Sequence, residues 1–329
     1  MRDWNPGTLL GLSGQYWQTC ALHAAVKLGV FDALGDQPLS GEEVARQTAT
    51  EPDACLRLLG ALTALGLVSR QGADFANTPA SRRWLCRDSD AYLGFMILHH
   101  HYLMESWAQL DQAVRTGEPV RQRSSRSEDT REAFLMGMFN NAMLQAPELV
   151  RQVDLTGRRR LLDLGGGPGT YAVHFCLDNP GLSAVVFDLP ATRPFAEKTF
   201  ARFKLEERIA FQAGDFTRER LGQGFDVVWM SHILHGEGPG TCRELVAKAA
   251  QTLEPGGELL IHEFILNNAG DGPLFPALFS LNMLTGTEAG RSYTGSELEE
   301  MMDAAGLWNI ERLPYQGPTE SGILRGRKK

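Results

Sequence analysis

In the second half of the chain, hydrophobic positions come in short unbroken runs separated by stretches of helical period. Residues 161–164, 185–187, a third run ending at Ala213, 225–231 and 258–266 are too continuously apolar to alternate, as expected of strands buried on both faces. Between them apolar residues recur at i, i+3, i+4, as at Ala172, Phe175 and Cys176. This alternation predicts a mostly parallel sheet with helices on both faces. Residues 307–315 and 321–327 add two strands as an antiparallel hairpin, which makes a seven-stranded sheet in an α/β fold. Thr241-Cys242-Arg243-Glu244 reads as the capped start of the helix before the fifth run, and Leu253-Glu254-Pro255-Gly256-Gly257 as its end.

The first ninety residues are mainly helical in period. Residues 16–34 read as helix, and Ser40-Gly41-Glu42-Glu43 and Thr50-Glu51-Pro52-Asp53 as two helix starts capped by Ser40 and Thr50. After the helix of Leu56, Leu59, Leu62 and Leu65, residues 67–70 and 74–78 form two strands joined through Gln71-Gly72-Ala73, a winged-helix pattern. Such a module can read DNA, but residues 1–90 hold ten Asp and Glu against eight Lys and Arg, and its second helix offers only Arg57 to a groove. A DNA reader needs the opposite balance. Residues 91–152 form a helical connector to the sheet domain, 153–329. Within the connector, 121–131 is expected to be an exposed loop, and His99-His100-His101 point in three directions on a helix and cannot share a metal ion.

A chain of 329 residues with 43% hydrophobic content can bury two cores. It has no apolar run of transmembrane length and opens without a signal-like hydrophobic stretch. The five scattered cysteines, none in a C-x-x-C pair, fit reduced thiols in the cytoplasm and no structural zinc. A net charge of −8 disfavours nucleic acid and anionic membrane as partners.

The chemistry centres on Leu161-Leu162-Asp163-Leu164-Gly165-Gly166-Gly167-Pro168-Gly169-Thr170, a strand, a glycine turn and a helix start. Glycines allow positive φ and close approach of a ligand, while free N–H groups at the helix start favour its negative end. A dinucleotide fingerprint would need glycine at Thr170, and a P-loop would need Gly-Lys-Ser/Thr. Asp163, ahead of the glycines, suits a ligand with an ammonium group, such as S-adenosylmethionine. The turn resembles motif I of the class I S-adenosylmethionine-dependent methyltransferases. Val185-Val186-Phe187-Asp188-Leu189-Pro190 then stands where an acid grips both ribose hydroxyls, and Ala213-Gly214-Asp215-Phe216 is similar to the adenine corner. The cofactor contacts implied are Asp163, Gly165, Gly167, Asp188, Leu189, Asp215, Phe216 and Ser231.

The resemblance narrows to small-molecule O-methyltransferases of the plant caffeic-acid type and their bacterial relatives, which share a Rossmann-like sheet and use a similar N-terminal winged-helix domain to form homodimers. In Ser231-His232-Ile233-Leu234-His235-Gly236-Glu237 the match puts His235 in the role of base, and Glu263 in that of the acid that orients it. Gly236-Glu237 replaces the usual Asp-Trp, and Ser292 stands where plant members carry a second glutamate. Met104, Trp107, Phe139, Met143, His232, Met283 and Arg291 are the implied acceptor-binding residues, although Met and aromatics at helical spacing also serve core packing. The resemblance thus implies methyl transfer to a hydroxyl of a small aromatic metabolite, without a metal. Transfer to carbon or nitrogen on the same fold, an NAD-linked oxidoreductase and a winged-helix regulator are the alternatives.

Overall fold

The structure, a computed structural model, describes residues 4–121 and 128–329. It divides into two compact units, one of residues 1–104 with 127–141 and one of residues 105–126 with 142–329. The stretch 91–152 is thus shared between both.

The first unit opens with α1 (Pro6–Gly14), α2 (Tyr16–Leu28) and α3 (Val30–Leu34). The helix expected over 16–34 is broken at Gly29, whose φ of 72° lets the chain turn between α2 and α3. Next come β1 (Leu39–Ser40), α4 (Gly41–Gln47) and α5 (Pro52–Ala64). Ser40 caps α4 as anticipated, its side chain accepting from Glu43 N. The cap of α5 is Glu51 rather than Thr50: its carboxylate accepts from both Asp53 N and Ala54 N, and Pro52 occupies the first turn. The hairpin β2 (Val68–Gln71) and β3 (Asp74–Asn77) pairs antiparallel, with β1 on its other edge. α6 (Pro79–Leu85) and α7 (Gly94–Trp107) follow. Phe31, Leu34, Leu59, Leu62, Val68 and Phe75 fill one core, whereas Leu10 and Trp17 are 73% and 69% exposed. On α7, His99 faces Phe134, while His101 meets Lys27 and His23. The histidine run disperses, as its helical spacing demands.

α8 (Leu110–Thr116) belongs to the second unit. Of the loop expected over 121–131, residues 122–127 lie outside the described residues, and from Glu128 onward the chain is helical in α9 (Glu128–Val150). The sheet follows: β4 (Arg160–Leu164), α10 (Thr170–Asp178), β5 (Ser183–Asp188), α11 (Arg193–Phe203), β6 (Ile209–Ala213), β7 (Phe225–Ser231), α12 (Pro239–Thr252), β8 (Leu253–Glu263), α13 (Leu274–Gly286), α14 (Gly295–Ala304), β9 (Leu307–Arg312) and β10 (Gly322–Lys328). Strand order is β6-β5-β4-β7-β8-β10-β9. The first five are parallel, and β10 pairs antiparallel with both β8 and β9. One core lies against α10 and α11, around Phe175, Val186, Phe200 and Trp229; the other lies against α12 and α14, around Val228, Leu245, Ile261 and Met302. α12 starts at Pro239 with Gly238 as an unassisted cap, three residues before the expected cap Thr241. Proline's fixed φ suits the first turn, and its missing N–H leaves one donor fewer to satisfy there. The order change between β4, whose crossover runs to β5, and β7 puts a crevice at the carboxyl ends of these strands.

Candidate active site

At the end of β4 the chain turns through Gly165, Gly167 and Gly169, with φ of 69°, 56° and 75°. Packing explains three of the four glycines. A Cβ on Gly165 would stand 2.6 Å from Ile233 Cγ2, on Gly166 2.5 Å from Asp163 Cγ, and on Gly169 2.6 Å from Phe200 Cε1. At Gly167 a Cβ would meet nothing within 4 Å, so this part of the turn faces open space.

Beneath it Asp163 is only 1% exposed. Its Oδ2 accepts from Ala172 N at 3.3 Å, and its Oδ1 has no hydrogen-bond partner. Burial pushes this carboxyl up to about 7, with Asp188 adding to the rise and the Ala172 N–H opposing it. Asp188, ending β5, accepts from Gly167 N at 2.8 Å, Leu189 N at 2.7 Å and Thr192 Oγ1 at 3.0 Å. A carboxylate has about four acceptor positions, so gripping two ribose hydroxyls requires one of these bonds to give way. Leu189 is 52% exposed beside it. Asp215 accepts from Thr217 N and Oγ1, and this holds its carboxyl low; Phe216 packs against Gly165. An orphaned buried carboxylate oxygen, an open glycine and flanking acids fit a ligand bearing an ammonium group and hydroxyls.

The second turn follows β7. Ser231 pairs with His262 across the sheet, and His232 N donates to His262 O. His232 has a φ of 56°, in the left-handed region histidine rarely adopts. A single turn of 3₁₀ helix, Leu234–Gly236, then presents His235. Glu263, ending β8 and 2% exposed, anchors that turn. Its Oε1 accepts from Leu234 N at 2.9 Å and His235 N at 3.3 Å, and its Oε2 stands 2.8 Å from His235 Nδ1. Burial pushes the Glu263 carboxyl up, but His235 and His232 beside it outweigh burial and hold it well below the usual range. An ionised Glu263 therefore accepts the Nδ1 proton of His235 and leaves Nε2 as the basic nitrogen.

The turn is also braced from below. Cys242 Sγ donates to Leu234 O at 3.2 Å and Tyr293 OH donates to Glu237 O at 2.6 Å. A Cβ on Gly290 would fall 2.5 Å from His235 O. Ser292 gives no support to His235: its hydroxyl donates to Pro276 O.

The structure brings His232, His235 and Glu263 together; their ligand-type atoms lie within 4.8 Å of one another. Ser231 Oγ lies 2.9 Å from His262 Nδ1, and His262 Nε2 lies 3.0 Å from Ser321 Oγ. Phe279 stands edge-on to His235 at 4.8 Å and Phe264 lies 4.3 Å from His232, with Phe275 4.9 Å from Phe264. Sequence reasoning missed this aromatic wall; the i, i+4 pair Phe275 and Phe279 was its signal. Trp107 Nε1 donates to Asn282 Oδ1 at 3.0 Å, and Met283 is buried beside that asparagine on α13. Met143 belongs to this unit, while Met104 and Phe139, both half-buried, belong to the other. Arg291 is exposed, pairs with Glu297 and lies 5.0 Å over the Tyr293 ring. Among the described residues no helix is long and apolar enough to cross a membrane.

Known proteins resemble this chain over nearly its whole length. Residues 105–308 match the O-methyltransferase domain and residues 10–87 the O-methyltransferase dimerisation domain. The chain is 33% identical over 330 residues to a 3-hydroxy-5-methyl-1-naphthoate 3-O-methyltransferase of Streptomyces sahachiroi, covering 98% of this chain and 95% of that one. It is also 33% identical to the N,N-dimethyltransferase OxyT of Streptomyces rimosus, over 80% of this chain and 79% of that one. Human N-acetylserotonin methyltransferase, solved in complex with SAM, superposes with a TM-score of 0.88 at 28% identity, covering 99% of this chain and 98% of that one. With both domains matched in their expected order and the sheet and its two turns in place, the chain belongs to the S-adenosylmethionine-dependent O-methyltransferases.

Proposed function

We propose that the enzyme methylates a phenolic hydroxyl of a small aromatic metabolite, with His235 as general base and Glu263 as the residue that orients it. The observation that carries this reading is the 2.8 Å contact between His235 Nδ1 and an ionised, buried Glu263. It commits one ring nitrogen to the carboxylate and leaves the other for the acceptor. A phenol has a pKa of about 10, so a neutral imidazole held on its hydroxyl takes the proton as the oxygen attacks, and Glu263 stabilises the resulting imidazolium. S-adenosylmethionine, when bound, supplies the activated methyl group. Asp163, Gly167, Asp188 and Leu189 would hold it at the first turn, with Asp215 and Phe216 at the adenine corner and Ser231 beside them. Phe264, Phe275 and Phe279 give the acceptor side an aromatic wall, which supports an aromatic acceptor, as in the naphthoate relative. Met104, Trp107, Phe139, Met143, His232, Met283 and Arg291 remain the candidate acceptor contacts. The exposed Leu10 and Trp17 and the matched dimerisation domain support a homodimer. Five scattered cysteines, none of them paired, support a cytoplasmic enzyme.

The test is His235→Ala on a phenol that is un-ionised at neutral pH. Turnover should fall by about two to four orders of magnitude while cofactor affinity persists, and raising the pH or using a more acidic phenol should restore rate. Equal turnover of parent and variant would overturn the base assignment. Methylation at nitrogen is the second reading, on the strength of the OxyT relative. Mass spectrometry of products from paired phenol and amine acceptors separates the two.

A further inference from the structure

We propose that His232, His235 and Glu263 form a binding site for a divalent transition-metal ion of the zinc type, and that the bound ion inhibits the enzyme by occupying its base. Each residue offers one ligand atom, and the three lie within 4.8 Å of one another. Glu263 Oε2 is 2.8 Å from His235 Nδ1 and 3.6 Å from His232 Nδ1. Tetrahedral zinc with bonds of about 2.0–2.2 Å sets its donors roughly 3.3–3.6 Å apart. The His232–Glu263 separation already suits such an ion, the His235–Glu263 separation needs to open by about half an ångström, and the two imidazoles, within 4.8 Å of each other, draw together on the ion.

An independent observation comes from His232 itself. Its Nδ1 is buried without a hydrogen-bond partner, and its backbone is held at a φ of 56°. A buried orphan nitrogen beside a carboxylate is a standing cost that a cation between the two removes. Glu263 is also pre-oriented for ligation, because Leu234 N and His235 N fix its other oxygen. Two imidazoles and one carboxylate suit zinc, cobalt, nickel or copper rather than the oxygen-seeking magnesium or calcium.

Ligation inverts the chemistry of His235. As a neutral ligand through Nδ1 it must carry its proton on Nε2: one proton leaves Nδ1 to solvent, one arrives at Nε2, and none is gained or lost overall. The nitrogen facing the acceptor becomes a donor and takes no proton. This inhibitory consequence rests on the base assignment above; the binding itself does not.

The experiment titrates the chelator-treated full-length protein with Co²⁺, read by its visible absorption, and with Zn²⁺, read by calorimetry. One ion per chain is expected, with Mg²⁺ unable to compete. Affinity should fall by more than about 100-fold in His232→Ala and in Glu263→Gln, since even outer partners of ligands are worth about 10–100-fold. Retained binding of S-adenosylhomocysteine reports that each variant is folded, and His232→Asn replaces the alanine variant if that one is not. No absorption band, or an unchanged titration in the His232 variant, overturns the site. Zn²⁺ should abolish methyl transfer by the parent, and EDTA should restore it; binding without loss of turnover overturns the inhibition. Failure of the base assignment would show separately, as full activity of metal-free His235→Ala with the cobalt titration of the parent unaltered.

Discussion

Two carboxylates lie buried under the two turns at the carboxyl edge of one sheet, and their environments are opposite. Asp163 has a single 3.3 Å bond and an orphan oxygen, and burial lifts its carboxyl to about 7. Glu263 is as deeply buried, yet the imidazoles of His235 and His232 beside it outweigh burial and its carboxyl stays ionised. Burial alone therefore does not set the charge of a group; the number of partners that burial leaves it does. Glu263 belongs to a finished assembly, whereas Asp163 keeps one carboxylate oxygen without a partner.

The largest effect should come from breaking the finished side. Glu263→Leu strands the N–H groups of Leu234 and His235 and should destabilise the protein by about 3 kcal/mol or more in denaturant titrations. The depressed Glu263 pKa adds stability above the ordinary carboxylate range, and that stability is lost as pH falls through the folded value.

Asp163 has the reverse sign. Its raised pKa means that the folded state holds a proton the unfolded chain has already released, so ligand-free stability should decline as pH rises from about 4 to about 7. Asp163→Asn should remove that decline and stabilise the ligand-free protein at pH 8 by on the order of 2 kcal/mol, measured as the difference in thermal unfolding between parent and variant. A parent curve parallel to that of the variant would sink the comparison. If a ligand ammonium completes Asp163, binding of S-adenosylhomocysteine should tighten as pH rises through about 7, and calorimetry should find no such dependence in the variant.

The smallest effect concerns the glycines themselves. Gly167→Ala has room for its methyl group and should cost only the left-handed backbone strain, about 1 kcal/mol. Gly166→Ala drives its Cβ into the Asp163 carboxyl and should cost clearly more. Equal losses in the two would mean that the turn relaxes as a whole.

The sheet was legible because strands buried on both faces leave unbroken apolar runs, and 225–231 marked β7 to the residue. Helix starts were less so. Thr50 and Thr241 satisfy the local capping pattern, but proline in the first turn moved each start and made Glu51 and Gly238 the caps. The glycine turn was readable as a motif, but sequence could not tell that three glycines yield to packing and only Gly167 faces open space. Nor could it show that Asp188 has spent most of its acceptor positions on its own loop. The meeting of His232 with Glu263 depends on the register of β7 against β8 and on one left-handed residue, neither of which leaves a local sequence trace.

The bracing of the histidine turn has an evolutionary consequence. Gly290 lies flush against His235 O, while Tyr293 and Cys242 hold the carbonyls on either side of it. Segment 287–293 and His235 must therefore drift together or not at all, since any side chain at 290 displaces the histidine. Phe275 and Phe279 carry no such tether through their side chains. A lineage acquiring a new acceptor would accumulate its substitutions there first, and the histidine turn would be inherited unchanged.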